Sequence, residues 1–153
     1  MSDTTTPATS TPAPAPAPAK PKTPAGNYIW GVGRRKTAVA RVRVRPGDGK
    51  FFVNKRAVDD FFKLERDRRA VRTPLKVTDT SKSVDVFVNV AGGGVTGQAG
   101  AVVLGLARAL SKSNSAHEPK LREYNLLTRD PRKVERKKYG RSGARKRFQF
   151  SKR

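Results

Sequence analysis

Three arginines at alternate positions, Arg41, Arg43 and Arg45, form the most distinctive chemical pattern in this chain of 153 residues. Their alternation with small apolar residues is typical of a β-strand with one apolar and one basic face. On such a strand the guanidinium groups lie about 6.6 Å apart, because each residue rises about 3.3 Å. This is close to the phosphate spacing of a nucleic-acid strand, and guanidinium binds phosphate through paired hydrogen bonds. The pattern therefore predicts phosphate contacts, with an ordinary solvated basic face as the alternative.

A glycine-rich segment from Gly92 to Gly97, with the sequence GGGVTG, matches the spacing of dinucleotide-binding loops. We reject a nucleotide site because the strand before it alternates, whereas a central parallel strand is apolar on both faces. In addition, no β pattern after Leu110 could place a ribose-binding acid. Turn geometry and close packing at Gly97, Gly100 and Gly105 are the preferred interpretation. Backbone donors for an RNA phosphate at a helix N-terminus are the alternative.

The charge balance indicates the class of partner. Lys and Arg number 34 against 12 Asp and Glu, which gives a net charge of +22. Such an excess destabilises a compact chain by self-repulsion, so it implies a polyanionic partner, with nucleic acid ranked before a membrane surface. No run of 18 apolar residues and no export signal is present. We therefore predict no membrane association.

Residues for catalysis or metal binding are scarce. The chain has no cysteine, and its single histidine, His117, has no partners of its kind for a metal site. His117 and Glu118 fit a surface turn or helix start better than acid–base chemistry, because no motif places a second catalytic group. We predict that the protein is not an enzyme and uses no metal, no cofactor and no small-molecule substrate.

Periodicity predicts the elements that position these residues. Residues 40–45 and 84–90 alternate as half-buried strands, and residues 50–54 follow a turn at 46–49 as the returning strand of a hairpin. Residues 57–64 and 97–110 have helical spacing, the second with an apolar stripe formed by Val102, Val103, Leu106 and Leu110. Strands with interposed helices predict a two-layer α/β or α+β domain with the helices on one side of the sheet.

Composition divides the chain into three segments. Residues 1–25 contain seven of the eleven prolines and are predicted to be a disordered Pro/Ala-rich extension. Residues 26–128 are predicted to form the globular RNA-binding domain. Residues 129–153 hold twelve Lys and Arg against two acidic residues, which predicts an extended basic tail that orders on its partner. Tyr139, Phe148 and Phe150 are expected to stack on bases there, and packing against the domain is the alternative.

Several motifs resemble those of the small-subunit ribosomal protein nine family of bacterial type. In order along residues 28–153 they are GRRKTAVARV at 33–42, GGG at 92–94, GQAGA at 97–101, RAL at 108–110, LTRDPR at 127–132, ERKK at 135–138 and QFSKR at 149–153. The Pro/Ala-rich residues before Tyr28 lie outside the resemblance.

The resemblance implies a fold and a function. The fold would be a two-layer α/β domain with a left-handed βαβ crossover, related to the second domain of small-subunit ribosomal protein five. The protein would be a cytoplasmic structural constituent of the small ribosomal subunit. It would bind the 3′ major domain of the rRNA in the subunit head, beside the neighbouring ribosomal proteins. Its tail would contact peptidyl-site tRNA through Lys152 and Arg153.

The residues expected to bind rRNA are cations of the arginine strand, of the segment before it and of the tail. They are Arg34, Arg35, Lys36, Arg41, Arg43, Arg45, Arg129, Arg132, Lys133, Arg136, Lys137, Lys138, Arg141, Arg145, Lys146 and Arg147. Two other classes of protein are rivals that rank below this one. A nucleoid or histone-like DNA-binding protein fits the charge but lacks a recognition-helix motif, and a nucleotide-dependent enzyme would use the glycine run.

Overall fold

Five strands with alternating burial form one sheet in the computed structural model, which describes residues 28–151. The strands are β1 (Ile29–Arg35), β2 (Ala38–Pro46), β3 (Phe51–Val53), β4 (Arg56–Ala57) and β5 (Val84–Ala91). Their order in the sheet is β1-β2-β5-β3-β4. Neighbouring strands are antiparallel except β3 and β5, which are parallel, so the sheet is mixed. The expectation for residues 1–25 lies outside the described residues.

The helices form the second layer. They are α1 (Val58–Phe61), α2 (Glu65–Val77), α3 (Val95–Ser113) and α4 (Glu118–Glu123), with a 3₁₀ turn at Ser115–His117. Helix α3 lies on β1, β2 and β5, and α2 and α4 pack against α3. The strand side chains that face this layer are fully or almost fully buried, among them Ala40, Val42, Val44, Val86 and Val88. This confirms a mixed α/β domain with two layers.

Glycines on β1 allow α3 to approach the sheet at backbone distance. A Cβ atom on Gly33 would lie 1.9 Å from the carbonyl oxygen of Ala101, and one on Gly31 would lie 2.1 Å from that of Gly105. Any other residue at either position would push the helix off the strand, because the obstructing atoms belong to the backbone. The tight helix–sheet contact therefore depends on residues of β1 as well as of α3.

The close packing predicted for the α3 glycines holds at only some positions. A Cβ on Gly105 would lie 2.8 Å from Val42 Cγ2, which confirms the prediction there. At Gly100 the obstacle is the side chain of Arg35, 2.3 Å away at its Cδ. The prediction for Gly97 is wrong, because its Cβ would make an ordinary contact, 3.9 Å from Ala38. The crowding lies nearer the middle of the helix than its N-terminus.

The secondary structure differs from expectation in several places. Strand β3 does not return alongside β2 as a hairpin, because β5 lies between them and pairs with both. The helix predicted at 57–64 is reduced to α1, a single turn of four residues. Helix α2 and strand β1 were not predicted. The strands at 40–45 and 84–90 and the helix at 97–110 are confirmed, each slightly longer than predicted.

Candidate nucleic-acid interface

The sheet face opposite the helices presents the arginines of β2. Val42 and Val44 are buried, as their place in the alternation requires, so Arg41, Arg43 and Arg45 lie on this other face, which we call the open face. The predicted orientation of the strand is confirmed. The three guanidinium groups nevertheless have three different environments.

Of these three arginines only Arg41 is a freely exposed cation, with no ion pair to any residue within the described range. The guanidinium of Arg43 lies over two aromatic rings, 5.7 Å from the centre of Tyr28 and 5.4 Å from that of Trp30. Arg45 donates to Asp85 Oδ2 at 2.9 Å and lies 5.2 Å from the ring centre of Phe87. The open face therefore combines cations with aromatic rings, a feature that sequence reasoning missed.

Asp85 is the anion that holds Arg45 in place. Its carboxylate is buried and also accepts hydrogen bonds from the backbone N–H groups of Asp48 and Lys50, both at 3.0 Å. Burial opposes ionisation, but the N–H of Lys50, the guanidinium of Arg45 and the N–H of Asp48 outweigh it, and the pKa of Asp85 is lowered. The same bond raises the pKa of Arg45. Since Asp85 already balances this charge, Arg45 is less available to phosphate than Arg41.

Two tight turns meet at one end of the sheet. Lys36, between β1 and β2, has a positive φ of 52°, and Gly92 and Gly93, after β5, have φ of 74° and 65°. The turn geometry predicted for the glycine run is thus confirmed. A Cβ on Gly92 would lie 2.8 Å from the carbonyl oxygen of Thr37, so the two turns are in contact. We call this region, residues 34–37 and 92–95, the turn end.

The N-terminus of α3 opens at the turn end. Gly94 occupies the N-cap position and no side chain caps the helix. The residues from Gly92 to Thr96, which lead into the helix and begin it, are exposed. A helix N-terminus carries partial positive charge and free donors, which suits a phosphate. With exposed Arg34 and Lys36 nearby, this geometry supports the alternative interpretation of the glycine run.

The tail begins beside the same region. Arg35 points to the helical side and donates to Asp130 at 3.0 Å, and Asp130 also accepts from the side chain and backbone of Arg132. The hydrogen bonds from Arg132, assisted by Arg35, keep the pKa of Asp130 well below its ordinary value. Two of the predicted RNA-binding cations, Arg35 and Arg132, are thus engaged with a carboxylate in the protein alone.

The rest of the described tail is largely exposed, with Arg141, Gly143 and Ala144 partly buried, and the chain forms no helix or strand from Arg129 to Ser151. Glu135 pairs with Arg145, through Nε and Oε2 at 3.0 Å, and this pair lowers the pKa of the carboxylate. The other predicted cations make no ion pair within the described part of the chain; they are Arg129, Lys133, Arg136, Lys137, Lys138, Arg141, Lys146 and Arg147. Lys152 and Arg153 lie outside the described residues.

The tail aromatics do not pack against the domain. Tyr139 is 96% exposed and Phe150 94%, and Phe148 is also largely exposed. The alternative in which they dock on the domain is therefore not what the structure shows. Their stacking on bases stays a prediction.

Residues 28–151 contain neither a candidate metal cluster nor a helix that could span a membrane. In this range no cluster of acidic, His or Cys side chains could hold a metal ion. No helix in it is long and apolar enough to cross a membrane. After α3 the described chain continues as a 3₁₀ turn and α4, without the second strand of a dinucleotide-binding unit. His117 lies at the N-terminus of α4, the helix start expected for it.

Comparison with known proteins gives one consistent result. Residues 33–153 match the family described as ribosomal protein S9/S16. The small ribosomal subunit protein uS9 of Anaeromyxobacter sp. (strain K) is 55% identical over 122 residues, 80% of this chain and 94% of the relative. The uS9 proteins of Chlorobium limicola, 56% identical over 122 residues, and Treponema pallidum, 55% over 123, each cover 80% of this chain and 95% of the relative.

Proposed function

Because this chain belongs to the ribosomal protein S9/S16 family, we propose that it is a structural, rRNA-binding constituent of the small ribosomal subunit. The observation that carries the proposal is the family match, which runs from Gly33, at the turn end, to Arg153. The family is one of ribosomal structural proteins, so the expectation of a protein that is not an enzyme agrees with it. The chemistry of the turn end and of the tail fits an RNA partner.

The proposed contacts divide into three groups. Arg41 and Arg34 present free guanidinium groups to phosphates on the open face. At the turn end, phosphates meet the ammonium group of Lys36 and the backbone N–H groups of the α3 N-terminus. The exposed tail cations neutralise further phosphates along their path. Arg35, Arg45 and Arg132 already have carboxylate partners, so their contribution requires that RNA phosphates compete with Asp130 or Asp85.

The finer parts of the proposal rest on the resemblance. The chain divides into a domain of residues 26–128 and an extended basic tail that follows it. The domain has a left-handed βαβ crossover, like the second domain of small-subunit ribosomal protein five. The domain lies in the head of a cytoplasmic small subunit, on the 3′ major domain of the rRNA and beside other ribosomal proteins. Lys152 and Arg153 contact the peptidyl-site tRNA.

Sedimentation tests the main proposal directly. In a sucrose gradient of cell lysate the chain should migrate with the small subunit, RNase should release it and DNase should not. Release by DNase alone would instead identify the nucleoid protein. A chain that stays at the top of the gradient in untreated lysate would refute the ribosomal assignment.

Salt dependence tests the individual phosphate contacts. For rRNA binding, log K falls linearly as log salt rises, and Arg41→Gln should make this negative slope shallower. The change should be about 0.7–0.9 for each phosphate that the side chain neutralises. Arg122→Gln is the matched control, because Arg122 in α4 is exposed and paired with Glu118 away from the open face. Equal slopes for the two variants would remove Arg41 from the interface.

Deleting residues 151–153 tests the tRNA contact. Incorporation into the subunit should stay nearly normal, because the upstream cations remain. Affinity for peptidyl-site tRNA should fall by roughly 1–3 kcal/mol, because the deletion removes charge-assisted hydrogen bonds. Filter binding of tRNA to purified subunits at several salt concentrations measures this, and unchanged affinity at every salt would refute the contact.

A further inference from the structure

A row of four side chains crosses the open face from one strand to the next. Trp30 on β1 is opposite Arg43 on β2, Arg43 is opposite Phe87 on β5, and Phe87 is opposite Phe52 on β3. Strands lie about 4.8 Å apart, so the row is about 14 Å long. Trp30 at one end is 51% exposed and Phe52 at the other end is 36% exposed. Each end therefore presents part of an aromatic surface to its surroundings.

Neighbouring contacts hold the row in shape. The Phe52 and Phe87 rings stack at 5.9 Å with an angle of 16°, and Tyr28 meets Phe87 edge to face at 6.2 Å. The guanidinium of Arg43 contacts the rings of both Tyr28 and Trp30. These contacts restrict the side chains before any partner arrives, so binding loses little side-chain entropy.

The charge of the open face favours a polyanion over a protein partner of mixed charge. Its strands contribute Arg34, Arg41, Arg43 and Arg45 against one acid, Asp85, which leaves four minus one, or +3. Asp85 is buried under Arg45 and presents no accessible negative charge. Arg41 is exposed, lies two residues before Arg43 on the same face and is opposite Asn89 of β5. At this position it is within reach of a nucleic-acid backbone that passes over the rings.

The exposed aromatic rings favour one kind of polyanion, a nucleic acid with unpaired bases. A double helix conceals its bases and offers only backbone and groove edges, which do not use an exposed aromatic ring. An unpaired base has a free π-face and stacks on Trp, Phe or Arg. We propose that the open face stacks unpaired RNA bases, one on Trp30 and one on Phe52, while Arg41 binds the connecting phosphates. This inference rests on the proposed function and specifies what the RNA presents at this surface.

Trp30 provides the measurement, because the full chain contains one tryptophan. The probes are a short unstructured single-stranded RNA, an abasic oligomer with the same number of phosphates and a duplex RNA. The single strand should quench Trp30 emission and bind at least about fivefold more tightly than the abasic oligomer, since each base–aromatic stack contributes about that much or more. The abasic oligomer and the duplex should bind in a salt-dependent way without comparable quenching.

Three variants make the test independent of the fluorescence reporter and of folding. Phe52→Leu should weaken single-strand binding at least about fivefold and leave abasic binding unchanged. Tyr124→Leu is the matched control, because Tyr124 is an exposed aromatic at the end of α4, on the helical side, and its replacement should change neither. Trp30→Leu, measured by anisotropy of labelled RNA, should weaken single-strand binding to a similar extent as Phe52→Leu.

The outcomes separate this inference from the proposed function. Binding of all three probes with equal affinity and no quenching would overturn base stacking and leave rRNA binding intact. If other small-subunit proteins quenched Trp30 emission and single-stranded RNA did not, the open face would be assigned to a protein partner. That result would also overturn base stacking. Failure to bind any probe at low salt would overturn both proposals.

Discussion

Asp85 shows how one buried carboxylate can organise a strand and a loop together. It neutralises Arg45 and accepts from the backbone of Asp48 and Lys50, so it secures the segment between β2 and β3. Gly47 leaves room for it, because a Cβ there would lie 2.3 Å from the carboxyl carbon. Backbone hydrogen bonds from Gly47 N–H to the Ser83 carbonyl and from Val86 N–H to the Lys50 carbonyl hold the two ends of the segment, and Asp85 holds the residues between them.

Replacing Asp85 should therefore cost stability in a pH-dependent way. Asp85→Asn removes charge-assisted hydrogen bonds and should lower the free energy of unfolding by about 2–3 kcal/mol at neutral pH. The folded pKa is below the ordinary value of 3.8, so the contribution is present above that value and is lost as pH falls through the folded pKa. In urea unfolding, the gap between the native protein and the variant should shrink below about pH 4.

Asp48→Asn is the control for this prediction. Asp48 is exposed and its ion pair with Lys50 is exposed on both sides, so its replacement should change stability little at any pH. A gap between native protein and Asp85→Asn that stayed constant down to pH about 2 would contradict the assigned role of the carboxylate.

The glycines give a second prediction at the residue scale. Gly33→Ala places a methyl group against backbone atoms of α3 and should lower the free energy of unfolding by about 1–3 kcal/mol or more. Gly97→Ala meets only an ordinary contact and adds a better helix former, so stability should be unchanged or higher by up to about 1 kcal/mol. Thermal unfolding of the two variants measures the contrast, and equal destabilisation would contradict it.

At the scale of elements, the beginning of the tail is tied to the domain. The Arg35–Asp130 pair joins the end of β1 to the tail, across 95 residues of sequence. Arg35→Gln should release this junction without altering the cleavage sites, and it should speed tryptic cleavage at Arg129 and Arg132 severalfold, because local opening governs proteolysis of native chains. Global unfolding should change little, since the pair is partly exposed.

Glu135→Ala supplies the comparison, because it removes an ion pair within the tail, to Arg145, and leaves the junction intact. Cleavage at Arg129 should keep its native rate in this variant. If Glu135→Ala accelerated cleavage at Arg129 as much as Arg35→Gln does, the junction with β1 would have no special role.

The elements found from sequence are those whose periodicity is strong. β2 and β5 alternate without interruption, and α3 has a continuous apolar stripe. Strand β1 was missed because glycines occupy its inward positions, where α3 comes closest. Helix α2 was missed because its first five residues are all charged, and Pro74 interrupts its pattern near the end.

The order of the strands and the chemistry of the open face depend on tertiary contacts, so the sequence alone did not predict them. The hairpin expected from β2 to β3 agrees with the local sequence, but β5 pairs with β2 along one edge and with β3 along the other, and this distant pairing decides the order. The open-face arginines could be placed from alternation alone. The aromatic rings beside them, and the pairing of Arg45 with Asp85, depend on cross-strand register, which one strand does not reveal.

Across the whole molecule, positive charge exceeds the acids available to balance it. In the helical layer several arginines have acidic partners, such as Arg69 with Glu65, Arg72 with Asp59 and Arg122 with Glu118. The tail from 129 to 151 carries ten cations against two acids, or +8. Adding the +3 of the open face gives +11, which is half of the net charge of +22. The tail therefore carries a large share of the uncompensated charge.

This imbalance should make the free protein's stability rise with salt. Self-repulsion destabilises the compact state, and mobile ions screen it, with a Debye length of about 30 Å at 0.01 M and about 10 Å at 0.1 M. Relief of about 1 kcal/mol corresponds to roughly 4–8 °C in Tm for a domain of this size. Calorimetry at increasing sodium chloride should show a rise of that order, and inorganic polyphosphate at low salt should produce it too.

A charge-reduced tail isolates the cause. Replacing Arg136, Lys137 and Lys138 with glutamine removes three exposed cations that make no ion pair within residues 28–151, and lowers the net charge from +22 to +19. Because these side chains do not touch the core, packing is unchanged and only repulsion is reduced. The variant should have a higher Tm than the native protein at low salt and a smaller rise on adding salt or polyphosphate. Identical salt responses would mean that the tail is too distant to repel the domain, and that the low-salt instability arises on the open face.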